Sequence, residues 1–323
     1  MKNILRLSVL VSILALITIA SCKKDLPNAD GNPSSTGGYS SMSDFISRNG
    51  VPTQIFLIDA QAGGSFTTPQ GTVVTVPANA FVTANNQPVS GNVIIEFKNI
   101  YKKSDMLLSN MPTMLPNGTP LKSGGEFYFN AIWHSQPLIM ASGKQINVKQ
   151  PVVGVPDPGM RAFSLQPATG WALNPSDTVS TDSASSGSSY VYTMNQLDSA
   201  NYLVQSSTGG NWSNSDNASF FSAYTLASVA INTHLYTVPS TTVYLVFHTV
   251  NSVIYVHKNP NGTNFLDPNT PIGLPFTVVA MSLKNGTLYA SFTPMTISSN
   301  MSLNTGLAPM TVDAFKTQLN ALN

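Results

Sequence analysis

Reactive side chains are sparse. The 323-residue chain carries 14 acidic residues and four histidines, and only two of the acids are glutamates, Glu96 and Glu126. A glycosidase needs two facing carboxyl groups roughly 5–10 Å apart, a role for which Asp59 or Asp105 are the further candidates. Both glutamates fall mid-strand, so they read as solvent-facing strand charges. His248 and His257 bracket a segment that a turn at Asn251-Ser252 would fold back, bringing them together as half of a metal site. No cysteine partner, His-Glu-x-x-His or aspartate-rich calcium loop accompanies them, and they read as ordinary strand histidines. A Gly-x-Ser-x-Gly elbow, a phosphate loop and a dinucleotide fingerprint are missing from the sequence. The Gly-Gly pairs at 63, 124 and 209 read as turns or bulges.

One residue does carry a clear chemical role. Lys2 and Arg6 precede an apolar run from Leu7 to Ala20, and Ile19-Ala20-Ser21-Cys22 follows, resembling the lipobox of bacterial lipoproteins. The run is shorter than the roughly 20 residues that span a bilayer as a helix and suits a signal-peptide core. Small side chains at Ala20 and Ser21 admit a peptidase, and the Cys22 thiol is the nucleophile for lipid transfer. Cys22 is the only cysteine, so no disulfide is expected, and no cofactor beyond the covalent lipid, such as palmitate. Each buried acyl CH₂ contributes about 0.8 kcal/mol, so two or three chains hold a protein on a membrane. The expected location is the outer membrane, with its periplasmic and surface faces both open.

Only 9% of residues are charged. Loss of the leader takes Lys2 and Arg6 and moves the formal charge from +1 to −1, which gives nothing to attract nucleic acid. The expected partners are the membrane, through the lipid, and an envelope protein or glycan. Residues 22–50, rich in Pro, Gly, Ser and Asn, read as a flexible tether with a reach of roughly 30 Å.

Beyond Val51 the grammar is that of strands. Val93, Ile95 and Phe97 alternate with Ile94, Glu96 and Lys98; Phe127, Phe129, Ala131 and Trp133 share a face. Asn285-Gly286 predicts a tight hairpin. Thr311–Leu322 predicts a helix with Val312, Phe315, Leu319 and Leu322 on one side. The expected fold is all-β: a signal peptide at 1–21, the tether at 22–50, one β-sandwich at 51–155, a second β-rich domain at 156–310 with a Ser/Thr-rich loop at 174–189, and a C-terminal helix at 311–323.

Three stretches of the first domain point to one family: Gly63-Gly64-Ser65; Gly71-Thr72-Val73-Val74-Thr75-Val76-Pro77-Ala78-Asn79-Ala80-Phe81; and Val89-Ser90-Gly91-Asn92-Val93. Residues 55–150 resemble a ZU5-type β-sandwich, and Tyr101–Met106 with Ser123–Phe127 resemble the versions in Bacteroidota lipoproteins. Gly210–Asp216, Val243–Phe247 and Pro271-Ile272-Gly273 are more weakly similar to the C-terminal half of those proteins. The resemblance implies a protein-interaction module. Some ZU5 domains cleave themselves at a His-Phe-Ser-like site, which His134-Ser135, His234-Leu235-Tyr236 and His248-Thr249 do not match. Thr178, Ser183 and Ser199 each follow an aspartate and precede an apolar residue, a pattern that resembles Bacteroidota O-glycosylation sites. Trp171 and Trp212 adjoin turn-like glycines and are the candidates for stacking on a sugar. A non-catalytic binding or scaffolding lipoprotein is the expected function. The alternatives are a carbohydrate-binding surface lipoprotein and a hydrolase built from dispersed Asp and Ser. A deep cavity lined by carboxylates would favour the hydrolase, and a flat exposed sheet edge a binding module.

Overall fold

The computed structural model describes residues 38–152, 155–166, 170–184, 187–197, 211–233 and 241–323. The leader, Cys22, Ser199, Gly209-Gly210 and His234 lie outside the described residues. In chain order the elements are α1 (Met42–Asn49), β1 (Gln54–Asp59), β2 (Gly64–Thr67), β3 (Val73–Val76), β4 (Phe81–Val82), β5 (Asn92–Ile100), α2 (Lys103–Leu108), β6 (Lys122–Trp133), β7 (Gln136–Pro137), β8 (Ile139–Met140), β9 (Ile146–Pro151), β10 (Arg161–Gln166), β11 (Gly170–Leu173), β12 (Thr178–Ala184), β13 (Gly187–Met194) and β14 (Asn211–Asn217). They continue with β15 (Leu226–Asn232), β16 (Thr242–Phe247), β17 (Val253–Lys258), β18 (Phe265–Pro271), β19 (Phe276–Lys284), β20 (Thr287–Met295), β21 (Met301–Asn304), β22 (Ala308–Pro309) and α3 (Val312–Asn320). The fold is all-β, as expected.

Sheet A runs β1-β5-β6-β14-β10-β11, with β7 paired to β6, and sheet B runs β12-β13-β9-β3-β2. They face each other across a core in which Val93, Ile95, Phe97, Phe127, Phe129 and Ala131 of sheet A meet Val74, Val76, Ile146, Val148 and Tyr192 of sheet B. The period-two pattern assigned these residues to one face, and all six from sheet A are fully buried. Trp133 sits at the rim, partly buried, with Nε1 donating to Ser90 O at 3.0 Å.

The expected boundary at 155/156 does not separate the sheets. β10, β11 and β14 complete sheet A, and β12 and β13 complete sheet B, so the sandwich extends to Asn217. Short-range patterns cannot reveal this, because the pairing of β14 with β6 is set by long-range contact. The 174–189 loop is likewise corrected: Thr178–Ala184 and Gly187–Met194 form a hairpin. Its Ser/Thr content mimicked a linker because β12 lies at the edge of sheet B, with Val179 packed against the core and its neighbours turned outward.

β4 and β8 pair as a short ribbon, and β15 to β22 form an eight-stranded sheet ordered β21-β15-β18-β17-β16-β19-β20-β22. β16 and β19 are apolar on both faces, as strands covered on both sides must be. Val243, Leu245, Val278 and Ala280 meet Val229, Ile231 and Phe265 in one core. Tyr244, Val246, Val279 and Met281 point the opposite way, into a core shared with Tyr128, Trp171 and Trp212 of sheet A and with α1, α2 and α3. The β19–β20 turn has Asn285 at φ 51° and Gly286 at φ 76°, the positive values a two-residue hairpin loop requires.

Residues 38–50 correct the tether. Ser41 Oγ accepts from Asp44 N at 3.0 Å and Asp44 Oδ2 accepts from Ser40 N at 2.9 Å, a reciprocal cap that starts α1. Phe45 and Met42 then enter the shared core. The expected C-terminal helix is present: Thr311 Oγ1 caps Ala314 N, Phe315 and Leu319 are fully buried, and Val312 and Leu322 pack beside them.

A polar grip joins the sandwich to the eight-stranded sheet at the turn after β16. Lys103 Nζ donates to Phe247 O at 2.7 Å and His248 O at 3.1 Å. Thr113 Oγ1 accepts from Val253 N at 2.9 Å, and Thr113 N donates to Val253 O at 2.7 Å. Asn251 Nδ2 donates to Tyr101 O and Ser123 O, and Ser123 N donates to Asn251 O.

Asn251→Ala withdraws the amide from two carbonyls and is expected to lower stability by about 2 kcal/mol, read from denaturant midpoints. A pH effect is expected from Asp267, which is buried and accepts from Thr270 Oγ1. Burial pushes its carboxyl up to about 6, so the folded state keeps a proton that the unfolded chain releases. Its contribution is complete below the ordinary carboxylate range and is lost as pH rises through 6. Asp267→Asn is therefore expected to gain stability relative to the native protein between pH 4 and pH 7, by about 3 kcal/mol at most, measured as paired unfolding curves.

Candidate functional site: an apolar sheet edge and a buried acid pair

β1 is the terminal strand of sheet A, yet Ile55, Phe56, Leu57 and Ile58 are apolar in succession. Phe56 stacks on Phe66 with centroids 3.9 Å apart, and Ile58 is buried. The alternate residues point outward, with Ile55 58% and Leu57 62% exposed. Leu57 lies opposite Ile94, itself 40% exposed, and Ile94 lies opposite the half-buried Ile132. The four make a short apolar strip running from the edge into the sheet.

Polar groups bound the strip. Ile55 lies opposite Glu96, whose Oε2 accepts from Asn130 Nδ2 at 2.9 Å and Tyr128 OH at 3.3 Å. Lys98 places its ammonium 5.8 Å from the Tyr128 ring and 6.0 Å from the Trp212 ring; burial draws its pKa down, opposed by Glu96. Asp59, at the end of β1, accepts from Gln61 N and Ala62 N in a turn. Natural edge strands are blunted by charge, proline or a bulge. Between Gln54 and Asp59 this one has neither charge nor proline. Such a strand leaves a row of main-chain donors and acceptors without the usual protection.

The second feature is buried. β6 and β14 pair regularly from Phe129 to Glu126, and the register then shifts, because Gly124 and Gly125 together oppose Ser215. A Cβ on Gly125, at φ +134°, would lie 2.4 Å from the Tyr101 ring, and one on Gly124 2.7 Å from Tyr190. Only glycine fits either place, and the bulge read at 124 is present. It leaves Glu126, Asn214, Asp216 and Ser123 clustered, all buried. Asn214 Nδ2 donates to Asp216 Oδ2 at 2.8 Å, and Ser123 Oγ donates to Asn214 Oδ1 at 3.0 Å. Burial, and then the charge of Asp216, drive the Glu126 carboxyl well above its usual range. Burial does the same for Asp216, offset in part by Ser123.

The sequence candidates are distributed as follows. Glu96 is half-buried on the outer face, but the expectation of a solvent-facing Glu126 fails, since the sandwich meets the eight-stranded sheet there. Glu96 is opposite Asn130, four residues along β6 from Glu126, a separation of about 13 Å. That exceeds the spacing of a glycosidase pair. His248 directly follows β16, at the turn, and His257 sits near the far end of β17: His248 Nε2 is 2.8 Å from Thr277 Oγ1, and His257 packs on Tyr255. The turn therefore does not bring them together, and among the described residues no group of three or more metal-ligating side chains occurs.

Trp171 and Trp212 are corrected as stacking residues. Trp171 is fully buried, with Nε1 donating to Pro112 O at 2.9 Å, and Trp212 is 5% exposed against Tyr128. Neither ring has a face for a sugar, because the eight-stranded sheet and the helices cover both. Thr178 and Ser183 are exposed on β12. Of their preceding aspartates, Asp177 accepts from Tyr192 OH and Asn195 N, and Asp182 pairs with Lys149 at 2.7 Å. The apolar strip was missed although its signal was visible: Ile55–Ile58 are four consecutive apolar residues in a strand, and only topology puts that strand at an edge.

Compared with known proteins, the chain matches no family model and none of the curated proteins.

Trp171→Ala is expected to cost about 3–5 kcal/mol of stability through the cavity it leaves, checked by denaturant unfolding.

Proposed function

We propose that the protein is a lipid-anchored, non-catalytic docking module of ZU5-like type, tethered through Cys22 to the outer membrane and presenting the β1 edge of sheet A to an envelope protein. The observation that carries this reading is the uncharged edge strand with Ile55 and Leu57 more than half exposed beside Ile94. An extended segment of a partner adds to such an edge through main-chain hydrogen bonds, while alternate side chains fill the strip. The lipobox-like Ile19–Cys22 supports the anchor. Sheet B's edge at β12 fits the same division of labour: exposed hydroxyls at Thr178 and Ser183 suit O-glycans, which would blunt β12 and not β1.

The test uses the full chain in cells. Labelled palmitate is expected to enter the native protein and to be lost with membrane association in Cys22→Ser. A photo-reactive residue in place of Ile94 is expected to give a discrete adduct with an envelope protein. Ile55→Lys with Leu57→Lys should cut its yield about tenfold, a change of about 1.4 kcal/mol in binding, while the unfolding midpoint moves by no more than about 3 °C. Adduct yield that is unchanged by the pair of substitutions would overturn the docking role.

A further inference from the structure

We infer that Glu126 and Asp216 together hold one divalent cation of the calcium class through their carboxylate oxygens, where the sandwich meets the turn after β16.

Three oxygens carry the argument. Glu126 Oε1, Glu126 Oε2 and Asp216 Oδ1 are buried and have no hydrogen-bond donor among the described residues, whereas the remaining oxygen, Asp216 Oδ2, accepts from Asn214 Nδ2. Nearby cations are engaged elsewhere. Lys122 pairs with Asp157 at 2.7 Å. Arg161, directly opposite Asp216 on β10, donates to Pro158 O and Met160 O. Lys103 holds the carbonyls of Phe247 and His248. Two buried carboxyl groups without a counter-charge are costly in either form: ionised, they lack compensation; protonated, each needs an acceptor for its hydroxyl. One proton between them partners two of the three oxygens and leaves a buried negative charge. A divalent cation engages all three and cancels the charge.

The donor set selects the class. Every group in the cluster offers oxygen, from Glu126, Asp216, Asn214 Oδ1 and Ser123 Oγ, and none offers sulfur or imidazole. That excludes preference for zinc or copper and favours a hard cation. Magnesium demands a near-ideal octahedron and usually keeps several waters; calcium accepts irregular sets of six to eight oxygens. Calcium's tolerance of irregular ligand geometry suits carboxylates set beside the Gly124–Gly125 bulge, where the β6–β14 register shifts. Because the ligands come from β6 and β14, which are distant in sequence, the ion is taken up as the chain folds.

The full chain is unfolded and refolded with Ca²⁺ or with EGTA, then freed of loose ion by gel filtration. Elemental analysis is expected to find one calcium per chain after refolding in Ca²⁺. The unfolding midpoint should stand about 5 °C higher in millimolar Ca²⁺ than in EGTA. Glu126→Gln with Asp216→Asn should abolish both uptake and the difference, whereas Asp59→Asn on the surface should leave both intact. If the double variant does not fold, the native chain alone decides. Absence of bound calcium with identical midpoints in Ca²⁺ and EGTA overturns the proposal. A midpoint indifferent to Ca²⁺ that rises as pH falls from about 8 to about 5 overturns it too and assigns a shared proton in its place.

Discussion

Lys103 is buried, and its ammonium is satisfied by two main-chain carbonyls, Phe247 O and His248 O, 144 and 145 residues away in sequence. Burial draws its pKa down, so the charge is held against desolvation, and the compensating carbonyls must stay where they are. Hydrogen bonds to charged groups contribute roughly 1.5–3 kcal/mol each, but removing the carbonyls would leave an uncompensated charge, which costs more. Thr113, Ser123 and Asn251 extend the grip around the same turn. A purely apolar contact between sheet A and the eight-stranded sheet would tolerate sliding; these directional bonds set one register.

That register divides the outer face of sheet A. Near β14 and β10 the eight-stranded sheet and the helices cover Tyr128, Trp212, Phe163 and Trp171. Toward β1 the cover ends, leaving Ile55, Leu57 and Ile94 in solvent. One surface of one sheet thus serves as core at one end and as an open strip at the other. The Gly124–Gly125 bulge lies on the covered side, where a regular strand would drive side chains into Tyr101 and Tyr190. The same irregularity gathers Glu126 and Asp216 into one buried set.

Legibility in the sequence followed the range of the interaction. Alternation marked β5 and β6 because side-chain direction is local, and Asn285-Gly286 announced a turn and the spacing of Val312, Phe315, Leu319 and Leu322 a helix for the same reason. The helix at 42–49 carried a cap, Ser41 with Asp44, and buried positions at Met42 and Phe45, but Pro, Gly and Ser before it gave the stretch the look of a linker. β12 failed in the opposite sense: an edge strand with one inward Val179 does not need the apolar content that marks a strand. The domain boundary was illegible, since nothing in residues 161–217 states that β14 will lie between β6 and β10. Glu126 was misread because alternation says which face a residue occupies and not what covers that face.

The same distinction orders the functional readings. Trp171 and Trp212 were attractive as sugar platforms only while their faces were taken as free; once the eight-stranded sheet covers them, the aromatic content of the chain becomes structural. The apolar run at β1 moves the other way. In a central strand Ile55 and Leu57 would be unremarked core residues, but at an edge they are apolar surface that burial alone cannot justify, because the fold leaves them in water at a cost of roughly 25 cal/mol per Å². A chain with few charges has little electrostatic means of keeping such an edge from other strands. In the docking role proposed above a partner strand would lower that cost, and the position of the strip, at the end of sheet A away from the covered aromatic core, leaves it accessible.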